Sequence, residues 1–163
     1  MKRHRGMAGS AVGASNVVDE ALFRFLVDLE VSKASRLQYC VSLVSVALSD
    51  GENQMDPAFA ERAAEAVSRH CRATDVVTNT APASVSLLLV AAETRDLPEI
   101  FRRTATELEA HASVAGPARP TVWSGGGACY PQTAMNGSDL LGQAAELTVE
   151  ARRRRAGTLI LPA

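Results

Sequence analysis

The stretch RATDVVTNTAPASVSLLLV, residues 72–90, decides the fold class of this chain. Two β-prone runs, DVVTNT and SVSLLLV, flank the short connection APA, and this pattern predicts a β-hairpin. The connection has neither the Asn-Gly pair of a tight turn nor a side chain that could act as an acid, a base or a metal ligand. The hairpin therefore indicates an antiparallel sheet and gives no direct sign of catalysis.

Helix and strand signals alternate on both sides of the hairpin. The predicted helices, each with apolar residues at spacings of three and four, cover 16–37, 57–72, 97–112 and 138–154. The predicted strands, each a short apolar or β-branched run, cover 40–48, 75–79, 84–91, 121–130 and 158–161. Asn16 and Ser138 are the predicted N-caps of the first and last helices, and Pro98 suits the first turn of the third.

This order reads helix, then β-α-β-β-α-β-α-β, which is the split βαβ plan of ferredoxin-like and nucleotide-cyclase folds. We therefore expect an α/β (α+β) domain with an antiparallel-rich sheet flanked by helices and an N-terminal lead-in helix. Residues 1–15 are predicted to form a disordered, mildly basic tail, and residues 16–163 a single domain.

The composition narrows the classes of function. Apolar residues make up 47% of the 163 residues and charged residues 21%, which is ordinary for a globular protein in water. The formal net charge of −1 argues against a nucleic-acid-binding protein, and no apolar run reaches the length of a membrane span. Three widely spaced cysteines favour reduced, buried thiols in a cytoplasmic protein over a disulfide framework or a zinc site.

Five segments, taken in order, resemble the diguanylate cyclase (GGDEF) domain family. They are EVSKASR (30–36), SLVSV (42–46), RATD (72–75), SGGGACYP (124–131) and DLLGQAAELTVEARRRRAG (139–157). The resemblance spans nearly the whole chain from about residue 23. It implies a nucleotide-cyclase fold and a role in cyclic di-GMP signalling.

The positions at which the family holds its chemistry differ here. Ala47 follows SLVSV (42–46) within the first predicted strand, at the position where the family has a metal-binding Asp. The five positions that read GGDEF in the family are, in this chain, Ala81, Pro82, Ala83, Ser84 and Val85. Condensing GTP needs magnesium, and magnesium needs carboxylate oxygens, which none of these side chains supplies. We therefore expect a degenerate domain without catalytic residues, metal or cofactor.

Arg72 and Asp75 match the family's Arg-x-x-Asp pattern five residues before the hairpin tip. In the family such a pair resembles an inhibitory site that reads the guanine edges of cyclic di-GMP, with a second arginine from the following helix. Arg102 or Arg103 could supply that second arginine. The alternative is that Arg72 ends a helix, where a cation is favoured, and Asp75 opens a turn.

Other polar features have plain structural explanations. The glycines of SGGGACYP are expected to allow close backbone packing, because the segment lacks the Lys-Ser/Thr of a phosphate-binding loop. The arginines at 152–155 are expected to form a solvated last helical turn. His70 and His111 have no partner at metal-ligand spacing, and Cys40, Cys71 and Cys129 are expected to be packing residues.

Three functions remain after these exclusions. The first is an inactive GGDEF-like module that acts through another protein or through self-association by its N-terminal helix. The second is a receptor for cyclic di-GMP at Arg72 and Asp75. Residual cyclase activity is the third, and the missing carboxylates place it last.

Overall fold

The computed structural model describes residues 15–48, 57–80, 84–115, 122–154 and 157–163. The predicted tail up to residue 14 and the hairpin tip at 81–83 lie outside these ranges. Within them, no helix is both long enough and apolar enough to cross a membrane.

The described elements follow the predicted order. The helices are α1 (Glu20–Leu37), α2 (Pro57–Ser68), α3 (Leu97–Ala115) and α4 (Gly137–Arg154), with a short 3-10 turn at Thr94–Asp96 before α3. The strands are β1 (Val41–Leu48), β2 (Val76–Thr80), β3 (Ser84–Val90), β4 (Trp123–Tyr130) and β5 (Leu159–Ile160). Every predicted helix and strand is therefore present.

The strands form one mixed sheet in the order β2-β3-β1-β4-β5. The strand β1 lies in the centre and is antiparallel to both β3 and β4, so that Ser45 faces Ser86 on one side and Gly126 on the other. Among the described strands, β4 and β5 are the pair that runs parallel. The central place of β1 agrees with its nearly continuous apolar sequence, since a strand covered on both faces has no solvent-exposed side.

Each face of the sheet carries its own core. The cluster beneath α2 and α3 contains Val44 and Val46 of β1, whereas Leu43 of the same strand belongs to the cluster beneath α1 and α4. Successive side chains of a strand point to opposite faces, and this alternation divides one apolar run between two cores. The fold is therefore a sheet with two helices packed on each side.

Two glycines of β4 are required by the helices that cover the strand. A Cβ atom on Gly126 would lie 2.6 Å from the Ala144 carbonyl oxygen of α4, and one on Gly125 would lie 2.8 Å from the Phe101 ring of α3. Both distances are too short for a side chain. This confirms that the SGGGACYP glycines serve close packing.

The two predicted N-caps were wrong. The cap of α1 is Asp19, whose carboxylate accepts a hydrogen bond from the Leu22 N–H at 2.8 Å. Asn16 is instead extended backbone at the edge of the sheet, where its carbonyl oxygen accepts from the Val77 N–H at 3.0 Å. At α4 the cap is Asn136, whose side-chain oxygen accepts from the Asp139 N–H at 2.8 Å, so Ser138 lies inside the helix.

Candidate ligand-binding groove

A groove of about 590 Å³ lies between the end of α2, the end of β3 and the outer side of α3. All four predicted ligand residues line it, namely Arg72, Asp75, Arg102 and Arg103. The turn between α2 and β2 supplies the first two, and α3 supplies the two adjacent arginines. Tertiary packing thus brings together two segments that lie about thirty positions apart in the sequence.

Asp75 is a buried residue of the groove lining, with 6% of its surface exposed. Its carboxylate accepts hydrogen bonds from the backbone N–H groups of Arg72 at 3.1 Å and Val90 at 3.4 Å. Its own N–H donates to the Arg72 carbonyl at 3.0 Å. The expectation that Asp75 opens a turn is therefore confirmed. Each carboxylate oxygen accepts one of these hydrogen bonds and keeps a further lone pair, with which it could accept another.

Burial raises the pKa of the Asp75 carboxyl above its ordinary value, because a low-dielectric site disfavours the charged form. The two backbone hydrogen bonds and the positive charges of Arg72 and Arg103 act in the opposite direction. Both guanidinium groups therefore influence the carboxylate electrostatically. A ligand that contacted all three groups would find one acceptor and two cations in the same groove.

The two arginines of α3 differ in their surroundings. Arg102 makes a two-pronged ion pair with Glu99, with nitrogen–oxygen distances of 2.9 and 2.6 Å. Among the residues that the structure describes, neither Arg72 nor Arg103 forms an ion pair. Arg103, and not Arg102, is thus the α3 cation that is available to an anionic ligand.

The rim of the groove includes residues that sequence reasoning did not assign to it. Arg95 pairs with Glu93 at 3.0 Å, and the His70 Nε2 lies 3.1 Å from a Glu107 carboxylate oxygen. The sequence pattern offers His70 no metal-ligand partner and does not mark its pairing with Glu107. That pair forms because the segment after α2 packs against α3.

Cys71 lies beside Asp75 on the groove wall. Burial, and secondarily the Asp75 charge, raises the pKa of its thiol to about 11. The thiol donates to the Val67 carbonyl oxygen at 3.4 Å. A thiol of such high pKa is a poor nucleophile at neutral pH, which agrees with a packing role.

The other histidine and the arginine run lie away from the groove. His111 packs against Phe59 with ring centres 5.1 Å apart, and burial together with Arg62 and Arg69 lowers its pKa. Arg153 and Arg154 both pair with Glu150 in the last turn of α4, as a solvated helix end would.

The positions where the family resemblance places catalytic residues lie elsewhere, at the opposite end of β3. Ala47 is buried and faces Ser84 on β3 and Ser124 on β4. The Ser84 hydroxyl lies 2.5 Å from that of Thr80, and Val85 belongs to the core beneath α2 and α3. Within the described ranges, no three His, Cys, Asp or Glu side chains come together as a metal site would require.

The sequence matches no protein-family model and no curated protein. Solved structures do match its fold. The isolated GGDEF domain of TpbB (YfiN) from Pseudomonas aeruginosa superposes with a TM-score of 0.71 at 18% identity, over 90% of this chain and 91% of that one. The GGEEF domain of a Vibrio cholerae diguanylate cyclase gives 0.73 at 8% identity, over 88% of this chain and 96% of that one.

A third solved structure is the GGDEF domain of DgcB from Caulobacter crescentus, in complex with cyclic di-GMP. It superposes with a TM-score of 0.70 at 10% identity, over 99% of this chain and 98% of that one. These superpositions establish the architecture. Because the sequence identities are this low, they do not establish the chemistry of the site. The predicted fold class is confirmed, and the chain has the fold of a GGDEF diguanylate cyclase domain.

Proposed function

We propose that this chain is a non-catalytic GGDEF-like domain that binds cyclic di-GMP in the groove beside Asp75. The observation that carries the proposal is that Arg72 and Arg103, which have no ion-pair partner among the described residues, line the same groove as one buried carboxylate. A groove of about 590 Å³ lies within the range of small-molecule sites, about 300–1,000 Å³.

The chemistry of the ligand fits these groups. The O6 and N7 atoms of guanine are adjacent acceptors, which an arginine guanidinium can meet with two parallel N–H bonds. The Watson–Crick edge of guanine presents N–H donors, which the remaining lone pairs of the Asp75 carboxylate can accept. The ligand also carries two phosphate charges, so two cations in the groove are favourable.

The ion pairs decide which arginine takes part. Arg103 can turn to a ligand without breaking an ion pair, whereas Arg102 would have to leave Glu99. An exposed pair such as Arg102–Glu99 contributes only about 0–1 kcal/mol, but it holds the side chain away from other acceptors. We therefore assign ligand binding to Arg72, Asp75 and Arg103.

The proposed lack of cyclase activity is supported by side-chain chemistry. A methyl group at Ala47 and a hydroxyl at Ser84 provide no carboxylate for Mg²⁺, which prefers hard oxygen ligands in near-octahedral geometry. Without the ion, the charge that develops on the transferring phosphoryl group lacks its usual stabilisation. The domain then acts by contact with another protein, and the bound dinucleotide is its signal.

Titration calorimetry with cyclic di-GMP tests the binding site. The parent chain should bind, Arg72→Ala and Arg103→Ala should each lose at least tenfold in affinity, and Arg102→Ala should stay within about twofold. Arg153→Ala, on α4 and outside the groove, is the charge-matched control. No heat from the parent chain at high ligand concentration would refute the receptor function, and equal losses in Arg102→Ala and Arg103→Ala would refute the assignment.

Incubation with GTP and Mg²⁺, followed by chromatography of the products, tests the missing activity. The expected result is unchanged GTP. Formation of linear or cyclic dinucleotide above a heat-denatured control would contradict the proposal.

A further inference from the structure

The segment that precedes α1, residues 15–18, crosses from α2 to the edge strand β2. The Ser15 hydroxyl donates to the Glu65 carboxylate of α2, at 3.0 and 3.1 Å from its two oxygens. At the other end of the segment, the Val18 N–H donates to the Val77 carbonyl of β2 at 2.9 Å. We call residues 15–18 the strap, because they tie α2 to β2 across the turn that joins them.

Asn16 is the residue of the strap that bonds to this turn. Its backbone N–H donates to the Ser68 hydroxyl at the end of α2 at 3.3 Å, and its carbonyl accepts from the Val77 N–H at 3.0 Å. Its side-chain amide donates to the Arg72 carbonyl at 3.0 Å. Asn16 therefore bonds to the helix before the turn, to the turn itself and to the strand after it.

The Arg72 carbonyl oxygen also accepts from the Asp75 N–H, at 3.0 Å. A carbonyl oxygen has two lone pairs, so both hydrogen bonds can form together. Arg72, Ala73 and Thr74 are all exposed, and packing therefore contributes little to holding this part of the turn. The turn depends on hydrogen bonds, which Asp75 supplies from within it and Asn16 supplies from outside it.

We propose that Asn16 is a positioning residue of the groove, whose side-chain amide fixes the turn that carries Arg72 and Asp75. These two residues line the groove, whereas none of the described lining residues belongs to the strap. Asn16 thus acts through Arg72 and does not touch the ligand. When the strap leaves β2, the turn loses its outer hydrogen bond, and an anionic dinucleotide binds less tightly. The effect on affinity rests on the proposed function, and the effect on the turn is independent of it.

The strap is held less firmly than the central strands of the sheet. Val17 and Val18 are only partly buried, the first against the core beneath α2 and α3 and the second against the core beneath α1 and α4. A segment with few buried apolar contacts opens locally at a lower free energy than the whole domain. Coupling between two sites is reciprocal, so a bound ligand and a docked strap favour one another by the same factor. The strap thereby links the groove to the start of α1.

Alkylation of Cys71 by iodoacetamide tests the turn without any ligand. Cys71 lies in the sequence between Ser68 and Arg72, to both of which Asn16 bonds. Asn16→Ala should raise the alkylation rate of Cys71 about two- to tenfold, the change in an equilibrium constant that one lost hydrogen bond produces. Buried Cys129 is the internal reference for global unfolding. An unchanged rate at Cys71, or an equal increase at Cys129, overturns the proposal.

Asn79→Ala is the matched control, because Asn79 lies on β2 beyond the strap and does not line the groove. It should leave the alkylation rate of Cys71 within about twofold of the parent rate. Circular dichroism checks that each variant is folded. If Asn16→Ala is not, Ser68→Ala replaces it, since this change removes the acceptor of the Asn16 N–H and should have the same effect on Cys71.

Titration calorimetry with cyclic di-GMP tests the effect on the groove. Asn16→Ala should bind about two- to tenfold more weakly than the parent chain, and Asn79→Ala should bind as the parent does. If the parent chain binds and Asn16→Ala binds equally tightly, the positioning role is wrong and the receptor function stands. If the parent chain does not bind, the receptor function fails, and the alkylation rates still decide the role of Asn16 in the turn.

Hydrogen exchange tests the reciprocal effect, which a purely structural contact would not show. Saturating cyclic di-GMP should slow the exchange of the Val18 N–H, which bonds to β2 outside the groove. The same ligand concentration should have a smaller effect in Arg103→Ala, which is expected to bind less ligand. In a parent chain that binds, a Val18 exchange rate that does not respond to the ligand would overturn the coupling between strap and groove.

Discussion

The carboxylate of Asp75 accepts a hydrogen bond from the backbone N–H of Arg72, three residues earlier in the chain, at 3.1 Å. This bond closes the turn that links α2 to β2, and both residues that it joins line the groove. The turn therefore brings a cationic residue and a buried carboxylate to one site. Structural and ligand-binding roles of Arg-x-x-Asp need not exclude one another.

Replacing Asp75 with Asn should destabilise the fold. The amide has a single acceptor oxygen, so one of the two N–H groups, of Arg72 or of Val90, loses its partner. An unsatisfied buried donor costs about 1–3 kcal/mol. Urea unfolding monitored by circular dichroism measures the loss in the free energy of unfolding, and a change below about 0.5 kcal/mol would contradict the assigned hydrogen bonds.

The pKa of Asp75 predicts a pH dependence. Because burial raises this pKa in the folded state above its ordinary value, the folded protein holds the proton more tightly than the unfolded chain. The contribution of Asp75 to stability is therefore largest at low pH, and it is lost as pH rises through the raised pKa. The free energy of unfolding, measured relative to Asp75→Asn, should fall as pH increases from about 3.8 upwards.

The contribution of Cys71 to stability should also fall as pH rises, in this case at alkaline pH. Its thiol pKa rises from 9.0 to about 11 on folding, so the unfolded chain releases the thiol proton first. Stability should decline between pH 9 and 11 relative to Cys71→Ala, and alkylation of Cys71 by iodoacetamide should be slow at pH 8 in the native protein. Peptide mass mapping of alkylated sites measures the second effect, and rapid labelling of Cys71 in folded protein would contradict it.

Two glycine substitutions form a matched pair. Gly126→Ala places a Cβ atom against the backbone of α4 and should cost at least about 3 kcal/mol, because backbone cannot yield as a flexible side chain can. Gly142 lies on α4, and a Cβ atom added there would have no atom within 4 Å. Gly142→Ala should therefore stabilise the folded protein by up to about 1 kcal/mol. Thermal unfolding compares the two, and similar midpoints would contradict the close packing of α4 on β4.

If cyclic di-GMP binds the native groove, it should raise the midpoint of thermal unfolding. At a free ligand concentration one hundred times Kd the stabilisation is about 2.7 kcal/mol. Arg103→Ala should lose most of this shift at the same ligand concentration, and Arg102→Ala should keep it. A shift equal in the parent chain and in Arg103→Ala would place the ligand elsewhere.

The sequence by itself determined the order of elements, because the apolar spacing that packs a helix and the β-branched runs that fill a strand are local properties. It also determined that Ala47 and Ser84 carry no carboxylate, since side-chain chemistry does not depend on the fold. The two N-caps could not be derived in this way. Asn16 and Ser138 are good capping residues, but Asn16 is held by the edge of β2, and Asn136 begins its helix earlier.

Only the tertiary structure decided which of two adjacent arginines is available. Arg102 and Arg103 are indistinguishable in the sequence, and the orientation of α3 turns one towards Glu99 and leaves the other beside Asp75. The burial of a side chain and the partners that it contacts depend on how surfaces pack. In this protein both are set by the packing of α1, α2 and α3 on the sheet.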